Sequence, residues 1–133
     1  MLSSDLQGLG VNPLQAYRTA NAGTGPLTIS SLGTGTFASA NRIDGAQYLV
    51  SCSDSDGTKA LALPPIGGDG GALIGDCFTI NNQSATQTFT IFCSTSVTIS
   101  VSGSNTSSTT LGVHTSLTCY PVTQTQWIGI KGA

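Results

Sequence analysis

The sequence predicts an all-β chain: an antiparallel β-sandwich or jelly-roll-like domain over residues 27–133, preceded by an extended N-terminal arm over residues 1–26. Three observations predict it. From Leu27 onward the apolar residues recur with a period of two, turn-forming clusters interrupt them at roughly hairpin spacing, and no segment holds a 3.6-residue period for the length of an ordinary helix.

The arm comes first. Leu2, Leu6 and Leu9 line one side of a short helical pattern, but Gly8, Gly10 and Pro13 cut it off, and residues 21–26 are rich in glycine and turn formers. A segment with apolar residues but no core of its own gains its order on another chain. Leu2, Leu6, Leu9, Val11, Leu14 and Tyr17 are its candidate anchors. Strands are then expected at 27–30, 47–52, 59–63, 78–81, 89–91, 97–102, 111–119 and 126–131, with Thr at most outward positions because a β-branched polar side chain suits a pleated surface. Breakers fall at 54–57, 64–71, 81–84 and 102–108. No internal repeat of solenoid length is evident.

Composition narrows the function. The chain has 133 residues, only 8% of them charged, with a formal net charge of −2, and it contains no Glu. Arg18, Arg42, Lys59 and Lys131 are scattered, so no basic stripe exists to neutralise phosphates, and nucleic acid is not an expected partner. Low charge removes the repulsion that keeps monomers apart, which suits a protein whose surface is covered in an assembly. Its start carries neither a basic n-region nor an apolar stretch, and no run approaches the ~18 apolar residues of a membrane helix, so a soluble, membrane-free protein is expected. Cys52, Cys77, Cys93 and Cys119 match neither zinc nor redox spacing and are read as reduced core thiols.

Catalytic and metal-binding constellations fare poorly. The single histidine, His114, has no nucleophile elbow to serve, and the bland reading is a strand residue facing solvent or a subunit interface on a symmetry axis. Asp54 and Asp56 begin like a calcium loop, but Pro65 stands where the bidentate Glu belongs, and Asp-Gly is a favoured hairpin turn. Paired carboxylates for glycoside hydrolysis are missing, and 67–71 lacks the Lys and helix of a phosphate loop, leaving a mobile connection. Trp127 is a core residue or a subunit-interface anchor. No enzyme, cofactor or metal is expected.

Ala60-Leu61-Ala62-Leu63-Pro64-Pro65, Gly75-Asp76-Cys77-Phe78-Thr79-Ile80-Asn81-Asn82, Phe89-Thr90-Ile91, Val97-Thr98-Ile99, Thr110-Leu111 and Trp127-Ile128-Gly129-Ile130 together resemble a β-rich module of tailed-phage virion structural proteins. The likeness covers about half of the chain and extends to decoration, fibre and spike proteins. It implies a non-enzymatic homotrimer, and the arm-plus-domain layout suits a capsid decoration, or cement, protein that grips the major capsid protein and bridges capsomers. Its place would be the virion exterior, after assembly in the host cytoplasm. A receptor- or glycan-binding module of a tail fibre or spike is the alternative.

Overall fold

The computed structural model describes residues 27–29, 33–45, 47–53 and 59–132. The arm anchors Leu2, Leu6, Leu9, Val11, Leu14 and Tyr17 and the turn at 54–57 lie outside these residues. Among the described residues the fold is all-β, without a helix. Twelve short strands follow in order: β1 (Leu27–Ile29), β2 (Gly33–Thr34), β3 (Asn41–Arg42), β4 (Leu49–Cys52), β5 (Lys59–Ala62), β6 (Phe78–Asn82), β7 (Phe89–Phe92), β8 (Thr98–Val101), β9 (Ser104–Thr106), β10 (Ser108–Leu111), β11 (Ser116–Thr123) and β12 (Gln126–Gly132).

They form two mixed sheets. The larger has the order β1-β4-β6-β11-β12-β8-β9; the smaller runs β10-β7-β5-β2, with β3 also pairing with β5. This corrects the expectation of antiparallel sheets. Strands β1, β4 and β6 are mutually parallel, as are β3, β5 and β7, and β8 runs parallel to β12. Period-two alternation reports which face of a strand is buried and is blind to its direction. Direction follows here from the path: the chain visits the small sheet between successive strands of the large one, and a strand reached by such a crossover lies parallel to its predecessor.

The crossovers keep a common register. Val50 pairs with Ile80 in the large sheet and Leu61 with Ile91 in the small one, the same offset of 30 residues in both. The ladder continues beyond the strands, with Thr79 N donating to Tyr48 O and Leu63 N to Phe92 O, both at 2.8 Å. Residues 47–53 with 59–64 and residues 77–94 therefore form two stacked arches. Tyr48 sits on Phe78 with ring centroids 5.2 Å apart, and the four core positions Val50, Ile80, Leu61 and Ile91 are fully buried. This structural repeat escapes the sequence because only inward positions match in character. Position 52 is Cys in one arch and position 82 is Asn in the other, and the connections differ throughout.

One apolar core gathers residues of both sheets, including Val50, Leu61, Phe78, Ile80, Phe89, Ile91, Ile99, Leu111, Leu117 and Trp127. Burying a side chain of this size stabilises the fold by about 1.5–3 kcal/mol. Gly129 lies inside it because a Cβ there would meet Ile99, Leu117 and Val101 at 3.0 Å each. A second cluster, Ala40, Ala60 and Ala62 with Phe37 and Phe92, lies where residues 35–40 cover the small sheet, which explains why β5 is buried on both faces and carries alanines. The close approach depends on Gly33, whose Cβ would lie 1.8 Å from Ser39 O.

Several segments depart from expectation. The strand expected over 111–119 is broken by a turn at 112–115, where Thr115 N and Oγ1 both donate to Gly112 O. The breaker at 102–108 contains β9 and the start of β10, strands made of Ser, Asn and Thr that offer no apolar alternation to read. Residues 65–72 form a built loop instead of a slack connection. Gly67 N donates to Ala72 O, Ala72 N to Pro65 O, and Gly45 N to Gly70 O, while Gly67, Gly68 and Gly70 take positive φ.

Candidate interaction surface

The outward face of the large sheet is the feature that the strands build most consistently. Leu49 of β4 pairs with Thr79 of β6, which pairs with Thr118 of β11, which pairs with Ile130 of β12. This row crosses four strands. Leu49 is 50% exposed and Ile130 61% exposed at its two ends. Beside it runs a second row, Thr28, Ser51, Asn81, Ser116 and Gly132, and on the other side a third, Tyr120, Ile128, Ser100 and Asn105. Lys131 is the one charged residue in the seven strands, and its Nζ turns away to donate to Thr110 O at the edge of the small sheet. The result is a broad, uncharged face of Thr, Ser and Asn bearing isolated aliphatic and aromatic side chains. Such a face can bind by apolar and main-chain contact without desolvating a charge.

The expected site residues are placed as follows. His114 lies on the exposed turn between β10 and β11 with φ 49°, and its N donates to Ser84 O. Val113 beside it is also exposed, so the strand geometry expected for this pair is replaced by a turn. Trp127 is fully buried, its ring edge-on to Phe78 at 5.3 Å. It therefore joins the hairpin β11–β12 to the arches and offers no surface to a partner. Among the described residues neither its Nε1 nor Ser51 Oγ finds a hydrogen-bond partner. Leu49 and Ile130 were missed by sequence reasoning, although a parity signal existed: once Trp127 points inward, Ile128 and Ile130 point outward.

Asn82 organises the neighbourhood of the His114 turn. Fully buried, its Nδ2 donates to Gln87 O, Leu111 O and Gly112 O at 2.9–3.3 Å, and its Oδ1 accepts from Ser84 N. One side chain thus ties the connection between β6 and β7 to the end of β10. Asp76, 4% exposed, accepts from Leu73 N through Oδ2 and closes the turn before β6.

All four cysteines are free thiols; Cys52, Cys93 and Cys119 are buried, whereas Cys77 is exposed, against the expectation of four core thiols. Burial pushes the Cys52 and Cys93 thiols up to about 12. It also raises that of Cys119, to which Cys93 and Cys77 add. Buried thiols of this kind are unreactive packing groups. Among the described residues no three His, Cys, Asp or Glu side chains are placed to hold a metal, and no helix is long and apolar enough to cross a membrane.

One cavity of about 400 Å³ opens where β7 passes into β8, lined by Phe37, Phe92, Cys93, Ser94, Thr95, Ser96, Val97, Thr98 and Ser107. Arg42 lies over the Phe37 ring, 4.6 Å from its centroid, and Phe37 meets Phe92 edge-on at 6.3 Å. No family model, curated protein or solved structure matches this chain.

Proposed function

We propose that the protein is a phage capsid decoration protein that binds the outside of the head shell and stabilises it by bridging capsomers. The observation that carries this reading is the uncharged outward face of the large sheet, with Leu49 and Ile130 exposed on it. On this reading the two sheets are the sandwich of a jelly-roll-like domain, and residues 1–26 are an extended arm that enters at β1, the edge strand next to Leu49. Arm and face then grip the major capsid protein together. Affinity comes from apolar and main-chain contacts, because the charges are too few to supply it, and a homotrimer multiplies a weak single contact by raising effective concentration. No catalytic step is involved.

Co-sedimentation with assembled head shells tests the reading. Deleting residues 1–25 should abolish shell binding while leaving the oligomer folded, and Leu49→Asp with Ile130→Asp should weaken it at least tenfold, which corresponds to about 1.4 kcal/mol. Full retention of binding by the truncated protein overturns the arm, and retention by the double variant overturns the face. The alternative, a receptor- or glycan-binding module of a tail fibre or spike, draws support from the cavity beside Phe92. Electron microscopy of virions labelled at the C-terminus separates head from tail.

A further inference from the structure

We infer that the cavity between Phe92 and the β7–β8 turn is a binding site for a neutral saccharide unit. This deepens the glycan-binding alternative and is independent of the shell-binding reading, whose face lies on the large sheet.

The chemistry of the lining selects the ligand. Its apolar part is built by the half-buried residues Phe37 and Phe92, with Val97 and Cys93, both members of the main core, also among the lining residues. Five more of the lining residues carry hydroxyls, Ser94, Thr95, Ser96, Thr98 and Ser107. A hydroxyl can donate and accept, so these residues can answer the hydroxyls of a sugar in either sense. None of the lining residues is charged. An ammonium would lose its hydration there without a counter-charge, and a phosphate or carboxylate would have to draw on Arg42, which is stacked on the Phe37 ring and does not line the cavity, so either charge is disfavoured against a neutral ligand. A purely apolar ligand would instead leave the hydroxyls beside it to be desolvated. What fits both is a molecule with one apolar C–H face and a neutral polar edge, which describes a hexose ring. A cavity of about 400 Å³ lies within the range of small-molecule sites.

The fold holds this geometry in place. Val97 N donates to Ser94 O at 3.0 Å, closing the turn, and Cys93 N donates to Ser107 O at 2.9 Å, fixing the opposite wall. At the mouth, Ser96 takes φ 63°, a left-handed conformation that a non-glycine residue adopts at some cost. Phe37 and Phe92 pack together against Ala40, Ala60 and Ala62, with Arg42 over the Phe37 ring, so the covering segment 35–40 and the small sheet meet at the cavity.

Titration of the full chain with glucose, galactose, N-acetylglucosamine and maltose, followed by amide chemical shifts, tests the assignment. At least one of these should give saturable shifts concentrated at residues 93–98 and 107. Thr95→Val, an exposed isosteric change that removes one hydroxyl, should weaken that binding about threefold or more, and Phe92→Ala about tenfold. Glucuronic acid and glucosamine should bind more weakly than their neutral counterparts. Absence of saturable shifts with all four neutral sugars overturns the proposal, as does affinity unchanged by Thr95→Val, a variant that keeps the test valid should Phe92→Ala fail to fold. Shell binding by Thr95→Val should match the unmodified chain, so the two readings fail separately.

Discussion

In residues 47–94 the chain reaches a neighbouring strand only after visiting the other sheet, whereas β8–β9 and β11–β12 turn straight back on themselves. Val50 and Ile80 lie side by side across a connection that passes through β5, while Pro121 and Trp127 pair across a tight turn. The arches and the β11–β12 hairpin use the same alternation of apolar and polar residues. What differs is the chain closed off by each contact: the arches must order long connections before any packing rewards them, and the hairpins need not. The arches offset this with a repeated register and with Asn82, which ties their connection to the end of β10. Trp127, on the hairpin side, packs its ring on Phe78 of the second arch and so couples the regions.

Breaking that coupling should have the largest effect. Trp127→Ala is expected to lower stability by about 3–5 kcal/mol, read from the denaturant midpoint, and to do so in one cooperative transition. Two separate transitions would show that arches and hairpins fold independently. Ile80→Ala, in the rung flanked by β4 and β11, should cost about 2–5 kcal/mol. Asn82→Cys makes the two arches alike at that position but strips Gln87 O, Leu111 O and Gly112 O of their shared donor; a loss of about 1–3 kcal/mol is expected, with faster hydrogen exchange at Ser84. A stable Asn82→Cys chain would mean that register alone holds the arches.

The thiols give a smaller, graded probe. Cys77 should react with a thiol reagent in the native state, while Cys52, Cys93 and Cys119 should react only on unfolding. The Cys52 and Cys93 thiols rise from 9.0 to about 12 on folding, so they stay protonated in the native state while the unfolded chain ionises. Their contribution is complete below pH 9 and is lost as pH rises from about 9 to 12, at no more than about 1.4 kcal/mol per pH unit for each thiol. Cys52→Ala and Cys93→Ala variants should flatten that slope. Least of all, Lys131→Met should change stability by about 0.5 kcal/mol or less, since its bond to Thr110 O is exposed.

Much of the β content was legible. Thr79, Ile80, Thr118 and Ile99 fall on the faces that period-two alternation assigns, because burial on one side of a strand leaves its mark in every second residue. Strands β9 and β10 were not, since Ser, Asn and Thr suit an exposed edge as well as a turn. The candidate site was less legible than the fold. Leu49 and Ile130 read as strand residues, and only pairing through Thr79 and Thr118 places them on one row. Phe37 and Phe92, 55 positions apart in the chain, meet because Gly33 admits the covering segment to the back of β5.

By itself, then, the sequence determined an all-β chain with a neutral, hydroxyl-rich exterior and a core of alternating aliphatic residues, because these follow from local periodicity and composition. Strand direction, the 30-residue register of the arches, the burial of Trp127 and the exposure of Cys77 were decided by tertiary structure. Each depends on which distant strand a segment lies beside, a choice made by packing and loop closure that leaves no period in the chain.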